Sequence, residues 1–354
     1  MVRKGVAMDK RKSILVLIIA VFLIAACSSG PVSLVVMTHD SFAISEETVA
    51  AFEEENNNID VVFLPSGDAG SALNRAILVK EAPIADILYG IDNTFLSRAI
   101  GENLFDAYTP PLLNEIPDAF KLDDQNRVVP IDYGDVCINY DKQFFRENNL
   151  EIPTSLDDLV NLEYANLLVV ENPATSSPGL AFMLATIAEY GEHGYLDFWA
   201  ELKDNGVVIV NDWGTAYYTN FSGSVGQGNQ PMVVSYGTSP AAEFIFSEEE
   251  LSESPTASLV GRNMCFRQIE FAGILKGSKN RALAEKFIDF MLSTHFQEDI
   301  PLNMFVFPTN KDADISQEFL DHIQIPDHPA VIDIDEIAKN REVWIEAWRE
   351  LMLR

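Results

Sequence analysis

An α/β protein of two lobes joined by a hinge is what this chain of 354 residues predicts. Three observations carry that expectation. Short apolar, strand-like runs alternate with helix-like segments from residue 33 onward, the pattern of a sheet layered with helices. The alternation starts afresh after Asp141. A late strand-like run, residues 266–275, is placed to carry the chain back into the first lobe, and two such crossings make a hinge.

Taken in order, residues 33–38 read as a buried strand and 47–52, with an acidic start, as a helix. Segments 59–63 and 85–89 read as strands, and 71–79 and 93–100 as helices, which argues for a mostly parallel sheet. A loop-rich stretch with Pro110, Pro111 and Pro117 leads to 128–130 and then to the strand 136–140. Beyond Asp141, strand 167–170 precedes helices 179–190 and 196–203 and strand 207–210. Residues 213–221, a Gly-rich turn at 223–228 and the strand 232–236 follow. Ser239-Pro240 opens a further helix, because Pro in the first turn costs no hydrogen bond and Ser in front of it can cap. An amphipathic helix covers 281–292. The expected boundaries are 33–136 for the first part of lobe one, 137–265 for lobe two, and 266–354 for the return to lobe one with C-terminal helices.

The N-terminus reads as a targeting segment. Arg3, Lys4, Lys10, Arg11 and Lys12 precede an apolar run, 14–26, too short to span a bilayer with ease. Ile24-Ala25-Ala26-Cys27, followed by Ser28-Ser29-Gly30, resembles the bacterial lipobox, whose cysteine is acylated and becomes the new N-terminus. Residues 1–26 are then a signal peptide and 27–32 a lipidated tether. The expected location is extracytoplasmic, with Cys27 anchoring the protein to the cell membrane by lipid and without a transmembrane helix.

With 54 acidic against 24 basic residues, the formal net charge is −30. DNA, RNA and anionic headgroups are poor partners for such a surface, and a cationic ligand fits better. Much of the acidity serves solubility: Glu53 to Glu55 and Glu248 to Glu250 read as solvated helix faces. After Cys27 only Cys137 and Cys265 remain, and no His or Cys cluster has metal-ligand spacing, so neither a metal nor a cofactor is expected. The two cysteines sit in apolar strand-like runs, where buried free thiols are common; in an exported protein they can equally pair.

Six segments carry a resemblance: residues 38–43 (Thr-His-Asp-Ser-Phe-Ala), Leu73-Asn74-Arg75, Gly90-Ile91-Asp92-Asn93, Asp132-Tyr133-Gly134, residues 175–180 (Thr-Ser-Ser-Pro-Gly-Leu) and residues 235–240 (Ser-Tyr-Gly-Thr-Ser-Pro). Together, in order and spacing, they closely resemble the thiamine-binding proteins of ABC importers, across nearly the whole mature chain. The resemblance implies a class II periplasmic-binding-protein fold, a two-strand hinge, and a ligand cleft between the lobes. It also implies capture of thiamine or a thiamine phosphate, delivery to an ABC permease, a monomer, and no catalysis.

Thiamine presents a permanent thiazolium cation, a flat aminopyrimidine and a hydroxyethyl arm. Its site needs aromatic faces, a carboxylate and small hydroxyls. Trp213 and Tyr236 match aromatic positions of the family's pocket, and Asp68, followed by Ala69, matches a ligand-contacting acid; the bland alternatives are core aromatics and a helix-capping loop. Asp40 and His39, at the end of the first strand, stand where open α/β sheets place ligands. Ser176 and Ser177 ahead of one helix, and Gly237, Thr238 and Ser239 ahead of another, offer hydroxyls and free N–H groups for the arm or a phosphate, or simply cap. Departures from the enteric pattern are His39 for a Tyr, Glu46 near a Trp position, Ala242 for an aromatic and Ala69 for a Gly; they leave room for a related cation or a pyrimidine precursor.

Two other readings stay open on sequence. Tyr217-Tyr218 resembles the paired tyrosines that hold ferric iron in related binding proteins, although no companion ligand is evident. An enzyme resembling thiaminase I would need Cys137 as its nucleophile, in a strand-like run beside Asp135 that offers nothing to stabilise a thiolate.

Overall fold

The computed structural model describes residues 31–57, 59–224 and 228–354. The signal-peptide and lipobox expectations, Cys27 included, lie outside the described residues, as does part of the Gly-rich turn.

Two long strands organise the fold: β5 (Val129–Asp141) and β10 (Phe266–Leu275), antiparallel to each other. On one side β10 pairs antiparallel with β3 (Ile87–Asp92) and the short β4 (Phe105–Asp106). From β3 the sheet continues in parallel through β1 (Val32–Thr38) to β2 (Ile59–Pro65). On the other side the second half of β5 pairs with β8 (Met232–Tyr236) and with β9 (Thr256–Leu259). There the sheet passes in parallel from β8 to β6 (Leu168–Glu171) and β7 (Val208–Val210). A two-residue strand, β11 (Phe307–Pro308), pairs with β5 at Tyr133 and Asp132. The mostly parallel expectation therefore holds within each lobe and fails at the centre. A chain that crosses between lobes in β5 and returns in β10 must run the two crossings in opposite directions.

Segments 128–130 and 136–140, read separately from sequence, are one strand, since the polar Asp132 and Asp135 between them are buried rather than in a loop. The helices follow local capping chemistry. In α1 (Glu46–Asn56) the Ser45 hydroxyl accepts from the Thr48 N–H at 3.2 Å. The next two are α2 (Ala69–Leu78) and α3 (Leu96–Gly101). Asp141 caps α4 (Lys142–Asn148), accepting from the N–H groups of Gln143 and Phe144. The two helices expected over 179–203 form the two arms of α5 (Ser177–Asp204), which meet at a kink where Gly191 leaves the helical conformation at φ 73°. After β8 comes α6 (Ser239–Ile245). It stops short of Glu248 to Glu250, which lie in a loop and not on a helix face: the Ser247 hydroxyl accepts from the Glu249 N–H and offers the backbone a turn instead.

The last third contributes α7 (Arg281–Met291), α8 (Thr294–Met304), α9 (Gln317–Leu320) and α10 (Ile334–Met352). Phe287 and Phe296 from α7 and α8 close the core over Leu34, Phe52 and Ile87. By contrast α10 lies along α5, with Trp348 edge-on to Trp199 and the Tyr195 hydroxyl donating to the Trp344 carbonyl. Cys137 and Cys265 are bonded to each other, tying β5 to the residue before β10. The buried-free-thiol expectation is thus corrected: the strands that bring both cysteines into the core also bring them side by side.

Candidate ligand cleft

The C-terminal ends of the parallel strands converge on a cleft of about 1690 Å³ between the lobes, as open α/β sheets dispose them. From the first lobe β1 delivers His39 and Asp40, and β2 delivers Asp68 and Ala69. From the second, β6 leads to Thr175 and Ser177, β7 to Trp213, and β8 to Tyr236 and Ser239.

Asp68 occupies the N-cap position of α2, yet its carboxylate makes no capping bond. It reaches across to the second lobe, where Oδ2 accepts from the Trp213 N–H at 3.4 Å. Burial pushes the Asp68 carboxyl up, against the pull of the nearby Ser176 hydroxyl, the Trp213 N–H and His39. A cation arriving beside it would restore the ionised form.

Trp213 is held on both edges. Its indole N–H donates to Ser235 Oγ at 2.9 Å, and Ser235 shares a second bond of 2.9 Å with Ser239. Its ring stacks on Tyr217 with centroids 5.1 Å apart and planes 19° from parallel, while Tyr218 meets it edge-on at 5.3 Å. The result is an aromatic wall in which Trp213, bonded through its main-chain N–H to Asp68, packs on Tyr217 and Tyr218 of the π-helical turn Thr215–Asn220 that follows it. Tyr236 adds a further ring, seated against β5 because Gly134 has no side chain: a Cβ there would come within 2.8 Å of Tyr236 Cδ1.

His39 folds over Gly90, which takes φ +87° and would, with a Cβ, collide with the imidazole at 2.3 Å. Its Nε2 lies 3.2 Å from Glu270 on β10. Burial would lower the His39 pKa, but Glu270, with Asp68 and Asp40 beyond it, raises it above 6.5. Glu270 also accepts from the Tyr89 hydroxyl at 2.9 Å, and the same hydroxyl approaches Asp132 on β5 at 2.5 Å. Burial drives Asp132 well up, and Glu270 beside it adds to the push. For Glu270 burial is outweighed by His39, Tyr89 and Asp132, which bring it below its ordinary value. Burial and Glu270 thus favour the protonated form of Asp132, while His39 favours the anionic form of Glu270. This chain of groups lies where β10 is irregular against both hinge neighbours, at residues 270–272.

Not every expected residue faces the cleft. The Ser176 hydroxyl is buried without a hydrogen bond among the described residues, and it does not cap α5. Ser177 lines the cleft, but its hydroxyl is given to the buried Asp92. Gly237 spends its N–H on the Asp135 carbonyl at 2.7 Å, and Thr238 donates to the Phe305 carbonyl, so both hold β8 and α6 in place behind the cleft. Asp40 accepts from the Gly67 N–H at 2.8 Å, joining the loops after β1 and β2.

Sequence reasoning missed Asp212, Glu243, Glu270 and Phe305, all of which line the cleft. Glu243 follows Ser239 by one helical turn, a spacing that would have placed it on the same face. Glu270 is concealed in a strand that also carries Arg267 and Gln268, so its charge does not stand out. Tyr217 was considered as an iron ligand. Its hydroxyl is buried beside Glu243 and Ser239, while Tyr218 is half exposed with its ring at 85° to Tyr217. The Cys137 sulfur, bonded to Cys265, is not available as a nucleophile.

Comparison with known proteins places this geometry. Residues 82–340 match the bacterial extracellular solute-binding protein family. The chain is 30% identical over 335 residues to the thiamine-binding periplasmic protein of Brucella suis, covering 93% of this chain and 95% of that one. It is 30% identical over 338 residues to the protein of the same name from Salmonella typhimurium, covering 94% and 97%. Among solved structures, a periplasmic thiamin binding protein superposes with a TM-score of 0.80 at 27% identity, over 93% of this chain and 98% of that one. With its two lobes, crossing strands and interlobe cleft, the chain belongs to the family of bacterial extracellular solute-binding proteins.

Proposed function

We propose that the protein captures thiamine outside the cytoplasm and delivers it to the permease of an ABC importer, without catalysing a reaction. The observation that carries this reading is the Asp68 carboxylate, left free of capping and joined from the facing lobe to the Trp213–Tyr217 wall. A flat cation there meets an anion and stacked rings together. Each is worth more to it there than in water, about 0.5 to 2 kcal/mol for the cation–aromatic attraction alone. Names of relatives that match over nearly their whole length support the same ligand. Asp68, Trp213, Tyr217 and Tyr236 are the proposed contacts, with Ser239 orienting Trp213 through Ser235. The protein acts as a monomer, its lobes divided near residues 136 and 265, tethered by lipid on Cys27; Cys27→Ser should release it from washed membranes, and retention there would sink the anchor.

Isothermal titration of the folded mature chain with thiamine is the test. One site per chain is expected. A well-folded protein that gives no binding at millimolar thiamine overturns the reading.

A further inference from the structure

His39 is the one basic side chain among the described residues that line the cleft. Its Nε2 lies 3.2 Å from Glu270, and 13% of the side chain remains exposed, enough to meet whatever enters. Three acids act on the imidazole: Glu270 on β10, Asp68 on the loop before α2 and Asp40 on the loop after β1. The Tyr89 ring of β3 stands 5.5 Å away. Behind Glu270 lie the Tyr89 hydroxyl and, bonded to that hydroxyl, Asp132 of β5. Asp92 of β3 and the Tyr236 hydroxyl of β8 feel the charge of Glu270 from farther off. Together the three acids favour the imidazolium, so His39 is the cation this group of carboxylates holds while no ligand is bound.

From this arrangement we infer that capture is an exchange of cations: the thiazolium enters beside Asp68, and His39 gives up its proton to solvent. The inference rests on the thiamine reading above and adds what the protein releases in return. A permanent cation at Asp68 enters the same field that holds the imidazolium, and the two repel each other across walls of low dielectric. The thiazolium cannot shed its charge, whereas the imidazole can. Loss of the proton from the His39–Glu270 pair leaves Glu270 as an anion whose charge is then available to the ligand, and the net charge of the occupied cleft is unchanged. His39 is therefore the residue that sets how affinity depends on pH near neutrality.

The experiment is titration calorimetry of the parent protein with thiamine, in buffers of different ionisation enthalpy over a pH series. A group that loses its proton on binding makes binding tighten as pH rises through its free value, and for His39 that value lies above 6.5. From pH 6.5 to about 8 the affinity should rise about threefold or more, with about 0.3 proton or more released per thiamine near neutrality. Asp68 titrates at lower pH, so His39→Gln, its folding checked by melting, should lose both the release and the slope in this range. Glu270→Gln, which leaves the imidazole without its partner, should move the release to lower pH. NMR titration of the parent supplies a readout that needs no variant: one of the five histidines should drop its pKa by about one unit or more when thiamine saturates the protein. Thiamine binding with no proton release and a level affinity across this range overturns the inference and leaves the thiamine reading intact. Release that persists undiminished in His39→Gln overturns it as well, since the proton would then come from elsewhere. A folded parent that binds no thiamine at any pH overturns the thiamine reading, and this inference with it.

Discussion

Asp68 shows how one residue serves function at the expense of stability. Its position at the start of α2 would let the carboxylate cap the helix, and it does not. Burial instead raises its pKa, so the folded protein holds the proton more tightly than the unfolded chain, and stability declines as pH rises above the unfolded value. Asp68→Asn should therefore melt no lower than the parent at pH 7, while losing thiamine affinity by about tenfold or more, the size of a lost charge-assisted contact. Binding of a cation needs the ionised carboxylate. Parent affinity should thus fall as pH drops through the raised Asp68 pKa, at values above the ordinary 3.8, and the variant should show a flatter profile. Calorimetry over a pH series reads both; an unchanged affinity and profile in the variant would remove Asp68 from the site. Trp213→Ala should lose about 1 to 3 kcal/mol of binding. It should cost less folding stability than truncating the fully buried Trp199, where about 3 to 5 kcal/mol is expected. At this scale Asp68, Trp213 and Tyr236 were legible only through the resemblance to thiamine-binding proteins, whereas Asp40 and His39 were legible from their place at the end of the first strand, where open α/β sheets aim residues at a cleft. Glu243 and Asp212 were hidden because acidic residues are common throughout this chain, and nothing local separates a lining carboxylate from a solvated one.

At the scale of elements, the hinge is built from β5 and β10. The Cys137–Cys265 bond and the Arg267–Asp135 ion pair, 2.7 Å between directly paired residues, clamp the end of this pair that lies toward the second lobe. The irregular stretch at residues 270–272 lies toward the first, with the His39–Glu270–Tyr89–Asp132 chain around it. The hinge thus has a stiff end and a deformable one, which is how a few backbone positions can absorb a closing motion. The disulfide closes a loop between residues 128 positions apart. Replacing both cysteines by alanine should lower the unfolding free energy by about 2 to 4 kcal/mol, while thiamine affinity stays within threefold. Urea unfolding of the parent and the double variant checks this, and equal midpoints would show that the bond does not support the fold. The strand 266–275 was legible in full because its apolar residues Phe266, Ile269 and Phe271 to Leu275 outweigh the polar Arg267, Gln268 and Glu270 among them. The joining of 128–130 to 136–140 was not, because Asp132 and Asp135 imitate a loop when the groups that bury them come from distant strands.

For the whole molecule, the two lobes present seven carboxylates to one cleft, within a chain whose formal net charge is −30. Such a field gathers cations toward the cleft before any contact forms. Two-lobed architecture followed from the alternation of strands and helices and its restart after Asp141. What pattern alone did not convey was the antiparallel centre, or that α10 ends the chain against α5, since each depends on contacts between residues far apart in sequence. The claim that joins residue, hinge and charge is that this cleft holds one thiamine. Native mass spectrometry of the protein purified without refolding, then supplied with thiamine, tests it most directly. The account predicts a single adduct, one thiamine per chain. A folded chain that carries no thiamine would contradict it.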